Sequence, residues 1–383
     1  ADSDTDADSD TDADSDTDAD SDTDTGVEEG DDEQDVTLYL SPDDSNSMGS
    51  AMQAYGLARD GENPLAAPIR PYEFMNLFHF DYEAPTEGLA VDVQLVPDPF
   101  APELDEDEGQ YLLQIGVTSP VVRHADREPL NLTLVLDTSG SMGGEPIQLL
   151  KSAARTIVGQ LREGDLVSMV TWNTQQHNLV EQHEVMQADD PALVAAIDGI
   201  SAGGGTDLHA GLVSGYALAE LQFSEERTNR IVLISDGGAN VGITDKELIA
   251  RKAGGREAIG IYMVGVGVGQ PASYNDQLMD EVTDVGKGAS VFLASEDDVE
   301  KVFAADFVNT LAIAERDVQV QLDLPPGFEI VRFSGEEYSS DPDEVEPQHI
   351  APNDSMVFFQ VVRTCADDLM TDDRTIGVTV SWK

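Results

Sequence analysis

From residue 130 to 314, runs of apolar residues alternate with stretches of helical spacing. Residues 130–137 (Leu-Asn-Leu-Thr-Leu-Val-Leu-Asp) are apolar on both faces, as a central parallel strand requires. Pro146 sits near the start of a helix continued by 147–161, where its missing N–H costs nothing. Residues 166–172 read as the next strand, and 177–185 alternate as an edge strand joined to it by a hairpin. Helices over 191–200 and 207–223 lead to a strand at 230–235. A helix at 244–252, a strand at 258–266, a helix at 274–285, a strand at 289–293 and a helix at 297–314 complete the series. This order predicts an α/β domain over 129–315, a doubly wound, mostly parallel sheet with helices on both faces.

The flanking regions have a different period. In 36–128, Pro-rich loops surround two alternating segments, 90–96 and 111–117, and in 316–383 the alternation returns at Val318, Val320, Leu322 and at Ile376, Val378, Val380, Trp382. Neither flank closes a two-layer core alone, because isolated short strand pairs are marginal in water. The two flanks are therefore expected to build one β-sandwich with the α/β domain inserted between them, since chain ends of such domains often lie close together. A change at the loops of the α/β domain would then reach the sandwich through the helix at 297–314. The aromatic stretch 71–80 is expected to form a short helix docked on the core, with His79 as a satisfied structural histidine.

Three segments of the central region carry candidate chemistry. The strand at 130–137 runs into Asp137-Thr138-Ser139-Gly140-Ser141. Thr206 follows Gly203-Gly204-Gly205, and Asp236 follows the apolar run 231–234. Hydroxyl and carboxylate oxygens are hard ligands suited to Mg²⁺, Mn²⁺ or Ca²⁺, and Asp, Ser, Ser at alternate positions of one tight turn aim their oxygens at one point. A lone D-x-S-x-S after a strand also serves as a helix N-cap. Three such segments, each behind an apolar run, single out metal binding by Asp137, Ser139, Ser141, Thr206 and Asp236. A set so rich in hydroxyls brings little negative charge, so the ion, Mg²⁺ before Mn²⁺ or Ca²⁺, stays electrophilic and takes an acidic ligand from outside.

Composition narrows the partners. The chain has 20 basic and 76 acidic residues, a formal charge of −56. Residues 1–35 are a low-complexity Asp repeat, with Asp at every even position from Asp2 to Asp24, and read as a disordered, solvated spacer that holds a domain away from a surface. The remainder is still strongly acidic, which disfavours nucleic acid and anionic membrane as direct partners. Solubility in high salt is the other reading of that charge, and the presence of only six Lys keeps it open. No apolar run is long enough to span a bilayer, and no signal peptide stands at Ala1. Cys365, the single cysteine, follows an apolar strand at 356–362 and reads as a buried thiol.

The D-x-S-x-S, Thr and Asp set resembles the metal-ion-dependent adhesion site of von Willebrand factor type A domains at all five positions. Residues 36–383 further resemble bacterial von Willebrand A proteins of the YfbK type. The similarity rests on 69–78, 112–117, 229–237, 240–245 and 274–279, and on the closing Val378-Thr379-Val380-Ser381-Trp382-Lys383. The resemblance implies a Rossmann-like domain and a non-enzymatic cell-envelope protein, periplasmic or on the cell surface. Such proteins are often lipoproteins, whose outer-membrane anchor would here lie upstream of Ala1. It implies that Ser139, Ser141 and Thr206 coordinate directly and that Asp137 and Asp236 do so directly or through water. Asp207 and Asn240 would be supporting groups beside them. The acidic repeat is not a family feature.

Other chemistry fits less well. Asp137-Thr138-Ser139-Gly140 lacks the spacing and the second copy of an aspartic protease. The glycine runs at 203–205 and 265–269 lack the ending of a phosphate loop, and no G-x-S-x-G elbow occurs. A metal-dependent hydrolase would need a general acid or base, and only His209 is near the set, three residues past Thr206 and expected to face solvent. The expected function is therefore divalent-metal-dependent protein binding and adhesion, with a partner Asp or Glu at the metal. A scaffold role in an envelope assembly, with the metal integral to the fold, is the alternative.

Overall fold

Residues 35–101, 109–237, 260–364 and 374–383 are described by the computed structural model. In chain order, β1 (Val36–Ser41) leads to α1 (Gly49–Arg59) and the short α2 (Pro71–Met75), then to β2 (Ala90–Pro97) and β3 (Gly109–Thr118). The doubly wound unit follows: β4 (Leu130–Asp137), α3 (Glu145–Gly159), β5 (Leu166–Trp172), β6 (Gln176–Glu184), α4 (Pro191–Asp198), α5 (Leu208–Leu221), β7 (Thr228–Ser235) and β8 (Tyr262–Val268). It closes with α6 (Asp276–Val285), β9 (Ser290–Leu293), α7 (Glu296–Glu300) and α8 (Phe307–Leu311). β10 (Glu315–Leu324), β11 (Phe328–Phe333), β12 (Glu337–Ser339), β13 (Gln348–Ile350), β14 (Ser355–Thr364) and β15 (Gly377–Ser381) complete the order.

The central sheet has the order β6-β5-β4-β7-β8-β9, and only β6 runs antiparallel to its neighbour. All eight residues of β4 are buried, which places it in the middle of the sheet with helices on both faces. Its core draws on strands and helices together: Trp172, Phe292 and Phe303 are fully covered alongside Leu132, Leu134 and Ile231. Each such side chain contributes roughly 1.5–3 kcal/mol through burial. From β4 the chain turns to β5 on one side, and β7 joins β4 on the other. The ends of β4 and β7 therefore flank the switch point, where open α/β sheets leave a crevice for ligands.

The flanks do pair across the unit. β3 lies antiparallel to β14 over ten residues, from Gly109 opposite Thr364 to Thr118 opposite Ser355, within the sheet β11-β14-β3-β2. β1 pairs with β10 in a second antiparallel sheet that also holds β12, β13 and β15. Alternate residues of β10 (Val318, Val320, Leu322, Leu324) share one apolar cluster with Leu113, Ile115 and Val117 of β3 and Phe358 and Val362 of β14. The two sheets thus enclose a common core, and the doubly wound unit is inserted between the strands that build it.

The structure corrects three expectations and adds one element. The stretch 71–80 is helical only over α2. Phe74 there packs on Ala54 and Leu57 of α1, while Phe78 is 69% exposed and His79 faces solvent, so His79 has no structural burial. The helix expected over 297–314 is broken. Between α7 and α8, residues Lys301–Ala305 form a π turn in which the Asp306 N–H reaches the Lys301 carbonyl at 2.9 Å, with Phe303 within it and Phe307 just after it both buried. Asn309 of α8 still contacts the sandwich, donating to Asp354 Oδ2 at 2.9 Å. The unforeseen element is α1, which packs on β9 and on the turn at 271–273. There a Cβ on Gly56 would lie only 2.6 Å from Pro271 Cγ, so the helix owes its close approach to glycine. Arg70, after α1, forms ion pairs with Glu73 (2.8 Å), Asp276 (2.7 Å) and Asp280 (3.1 Å), which fastens this segment to α6. The helix expected at 244–252, Asn240, Cys365 and the acidic repeat lie outside the described residues.

Candidate metal centre

The centre is built where β4 stops. Asp137 is its last residue and is fully buried. The turn that follows folds back on this carboxylate: Oδ1 accepts the Ser139 N–H at 2.8 Å. Oδ2 accepts the Ser235 hydroxyl at 2.7 Å, from the end of the neighbouring β7. The Ser139 and Ser141 hydroxyls stand 3.0 Å apart, so the alternate positions of the turn do converge. Ser139 is buried and Ser141 exposed, which leaves the pair open to one side.

The other two segments are laced to this turn through the backbone. Thr138 donates its N–H (2.8 Å) and its hydroxyl (3.0 Å) to the Trp172 carbonyl at the end of β5. The Gly203 N–H reaches the Thr138 carbonyl at 2.8 Å and the Gly140 N–H the Gly204 carbonyl at 3.1 Å, which brings the glycine loop and buried Thr206 alongside. Asp207, expected to support the site, caps α5 instead, accepting the Ala210 N–H at 3.0 Å. Asp236 directly follows β7. Gly237 behind it has φ +81, a left-handed conformation in which a Cβ would meet the Asn275 carbonyl at 2.7 Å. The Asn275 side chain donates to the Gly237 carbonyl at 3.3 Å and fixes that loop. The structure therefore places all five predicted residues on three adjoining loops, with direct contact among Asp137, Ser139 and Ser141.

Electrostatics add a reason for a cation. Burial pushes the Asp137 carboxyl up to about 7. The Ser235 and Ser139 bonds pull it down and the nearby Asp236 charge raises it further. Among the described residues no basic side chain pairs with it. Two carboxylates and three hydroxyls fit a hard divalent ion in their donor chemistry. Among the described residues no group of three or more His, Cys, Asp and Glu side chains is arranged to hold a metal, and this set supplies only two carboxylates, the rest of its donors being hydroxyls. His209 does not face solvent as expected: its Nε2 is buried, with no hydrogen-bond partner among the described residues.

Sequence reasoning did not single out Ser235 or Asn275. Ser235 was legible as the residue beside Asp236, its hydroxyl facing the same crevice. Asn275 lies in the stretch 274–279 that carries the resemblance, but nothing there points to this role, because its proximity to Gly237 arises only when α6 packs.

Comparison with known proteins gives a consistent picture. Residues 131–322 match the family model described as von Willebrand factor type A domain. The Escherichia coli (strain K12) protein YfbK is 27% identical over 290 residues, covering 73% of this chain and 49% of that protein. The Synechocystis sp. protein sll0103 is 27% identical over 217 residues, 57% of this chain and 50% of its own length. The chain thus spans about half the length of these curated relatives. A solved structure described as von Willebrand factor type A from Catenulispora acidiphila aligns with a TM-score of 0.52 at 15% identity, covering 79% of this chain and 71% of that one, a likeness of fold.

Proposed function

Because the chain belongs to the von Willebrand factor type A domain family, a family often involved in protein–protein interaction, we propose that it is a non-enzymatic, divalent-metal-dependent protein-binding module of the bacterial cell envelope. The single observation that carries the reading is the convergence of the Ser139 and Ser141 hydroxyls beside buried Asp137 at the switch point of the sheet. Ser139, Ser141 and Thr206 would hold the metal directly, with Asp137 and Asp236 behind them, directly or through water. Bound there, Mg²⁺, Mn²⁺ or Ca²⁺ would supply an electrophilic centre for a carboxylate offered by a partner protein. The chain's own residues do the preparation. Ser235 and the Ser139 N–H orient the Asp137 carboxylate, the Trp172 carbonyl holds the turn through Thr138, and Asn275 holds the Gly237 loop. The strong net negative charge suits a partner whose acidic residue is surrounded by basic ones.

Calorimetric titration of Mg²⁺ into the full chain and into Asp137→Ala tests this. One site in the wild type and none in the folded variant is the expected outcome, and equal affinity in both would sink the assignment. Melting with and without chelator separates adhesion from a scaffold role. A large fall in melting temperature on chelation would make the metal integral to the fold instead.

A further inference from the structure

The segment 49–69 lies outside the residues that match the family model, yet it packs beside the turn before Asn275, whose side chain holds the Gly237 loop. α1 packs tightly on the turn Pro271–Ser273, as Gly56 shows. The Gln53 side-chain amide donates to the carbonyls of Pro271 (2.8 Å) and Tyr274 (3.4 Å), so it fixes that turn from within. Between the two elements the surface sinks into a cleft of about 330 Å³, whose apolar lining is Leu57, Ala66, Pro68, Pro271 and Ala272, with polar side chains, Asn275 among them, making up much of the rest. That size lies at the small end of ligand pockets and suits an amino-acid side chain better than a cofactor. Leu65 (76% exposed) and Ile69 (48%) adjoin lining residues Ala66 and Pro68 in the chain. Exposed aliphatic groups gathered around a concave apolar surface mark interaction sites.

Asn275 belongs to both places. It lines the cleft, its side chain holds the Gly237 carbonyl at 3.3 Å, and its N–H reaches the Asp236 carbonyl at 3.5 Å. Asn275 therefore links the cleft to the loop that carries Asp236. We propose that the cleft is a specificity pocket: the partner segment that presents a carboxylate at the metal loops also inserts an aliphatic side chain between α1 and the 271–275 turn. This rests on the metal-dependent reading above and adds what else the partner must carry.

The surroundings decide the occupant. Of the two carboxylates along the cleft, Asp276 is already held by both Arg70 guanidinium nitrogens, at 2.7 and 3.1 Å, and Glu62 is exposed at the edge. The carboxylates therefore leave no free charge on the floor for a cation, and Leu57, Ala66, Pro68, Pro271 and Ala272 offer burial to a hydrocarbon. A second copy of this chain is disfavoured, since each carries a formal charge of −56.

A random peptide library displayed on phage and panned on the full chain supplies the probe, in Mg²⁺, in chelator, and on Ala272→Glu. Ala272 is exposed, so the variant puts a charge into the cleft without disturbing the core, and unchanged Mg²⁺ calorimetry confirms its metal site. The expected Mg²⁺-dependent peptides carry Asp or Glu with Leu, Ile, Val or Met at a fixed spacing. Ala272→Glu should retain the acidic preference and lose the aliphatic one by about tenfold or more, the discrimination a small apolar pocket provides. Acidic peptides without a spaced aliphatic residue, or an unaltered preference in Ala272→Glu, would overturn the pocket and leave the metal-dependent reading intact. Enrichment that ignores Mg²⁺, or no enrichment, would overturn both.

Discussion

Asp137 and Asp165 stand at opposite ends of neighbouring parallel strands, and neither has any exposed surface. Asp165, just before β5, is fully provided for. Both terminal guanidinium nitrogens of buried Arg127 bond to its carboxylate, and the N–H groups of Leu130 and Arg162 add two bonds at 2.9 Å each. Asp137, at the end of β4, is bonded by Ser139 and Ser235 and, among the described residues, meets no cation. Burying a carboxylate without a counter-charge is costly. The difference separates a structural carboxylate, complete within the chain, from one whose surroundings call for a cation from outside.

The largest effect should come from breaking the complete end. Asp165→Ala leaves Arg127 buried without its partner, a loss on the order of 3–5 kcal/mol in urea denaturation, while the folded fraction keeps its Mg²⁺ affinity. Asp137→Ala, measured in chelator, should lose far less, because it removes a charge that no basic side chain among the described residues neutralises. Equal losses at the two positions would erase the distinction.

Ser235 sharpens the comparison at the other end. Its hydroxyl orients Asp137, so if Asp137 holds the metal Ser235→Ala should weaken Mg²⁺ binding roughly 10–100-fold while changing the melting temperature in chelator little. An unchanged affinity would show that the Asp137 carboxylate needs no such support.

The two ends were not equally legible in the sequence. The apolar run of β4 and its exit into Asp137 marked both a central strand and a site, because burial on both faces and a ligand turn each leave a short local pattern. Asp165 and Arg127 left none, since their pairing depends on how β5 meets the loop before β4. α1 was missed for a related reason. Its residues (Gly49, Ser50, Ala51, Gly56) carry little helical signal, and its place depends on tertiary contacts with β9 and Pro271. The helix expected over 297–314 shows the reverse error. Helical spacing continues through the segment, but the π turn at 301–305 changes the phase and separates α7 from α8. That the two flanks pair was legible because neither alternating flank could close a core alone, but the partner strands, β3 with β14 and β1 with β10, were not.

A smaller effect is expected where α6 meets the Arg70 segment. Burial pushes the Asp280 carboxyl up to about 7. Arg70 opposes this, and the neighbouring Glu73, Asp276 and Glu336 reinforce it. A carboxyl raised on folding holds its proton in the folded state and releases it in the unfolded one. Its stabilisation is therefore full below about pH 4 and is lost as the pH rises towards 7. Asp280→Asn should flatten that decline in chelator-treated protein. An identical pH profile for the variant would remove Asp280 from the account and leave the contrast between Asp137 and Asp165 untouched.

The central claim is that the incomplete carboxylate end takes a hard divalent ion, and Mn²⁺ can be located directly by its anomalous scattering in crystals of the full chain. A peak within coordination distance of Ser139 Oγ and Ser141 Oγ, about 2.1 Å, is the expected result. It should vanish in Asp137→Ala. A peak placed elsewhere, or none at these loops, would contradict the account.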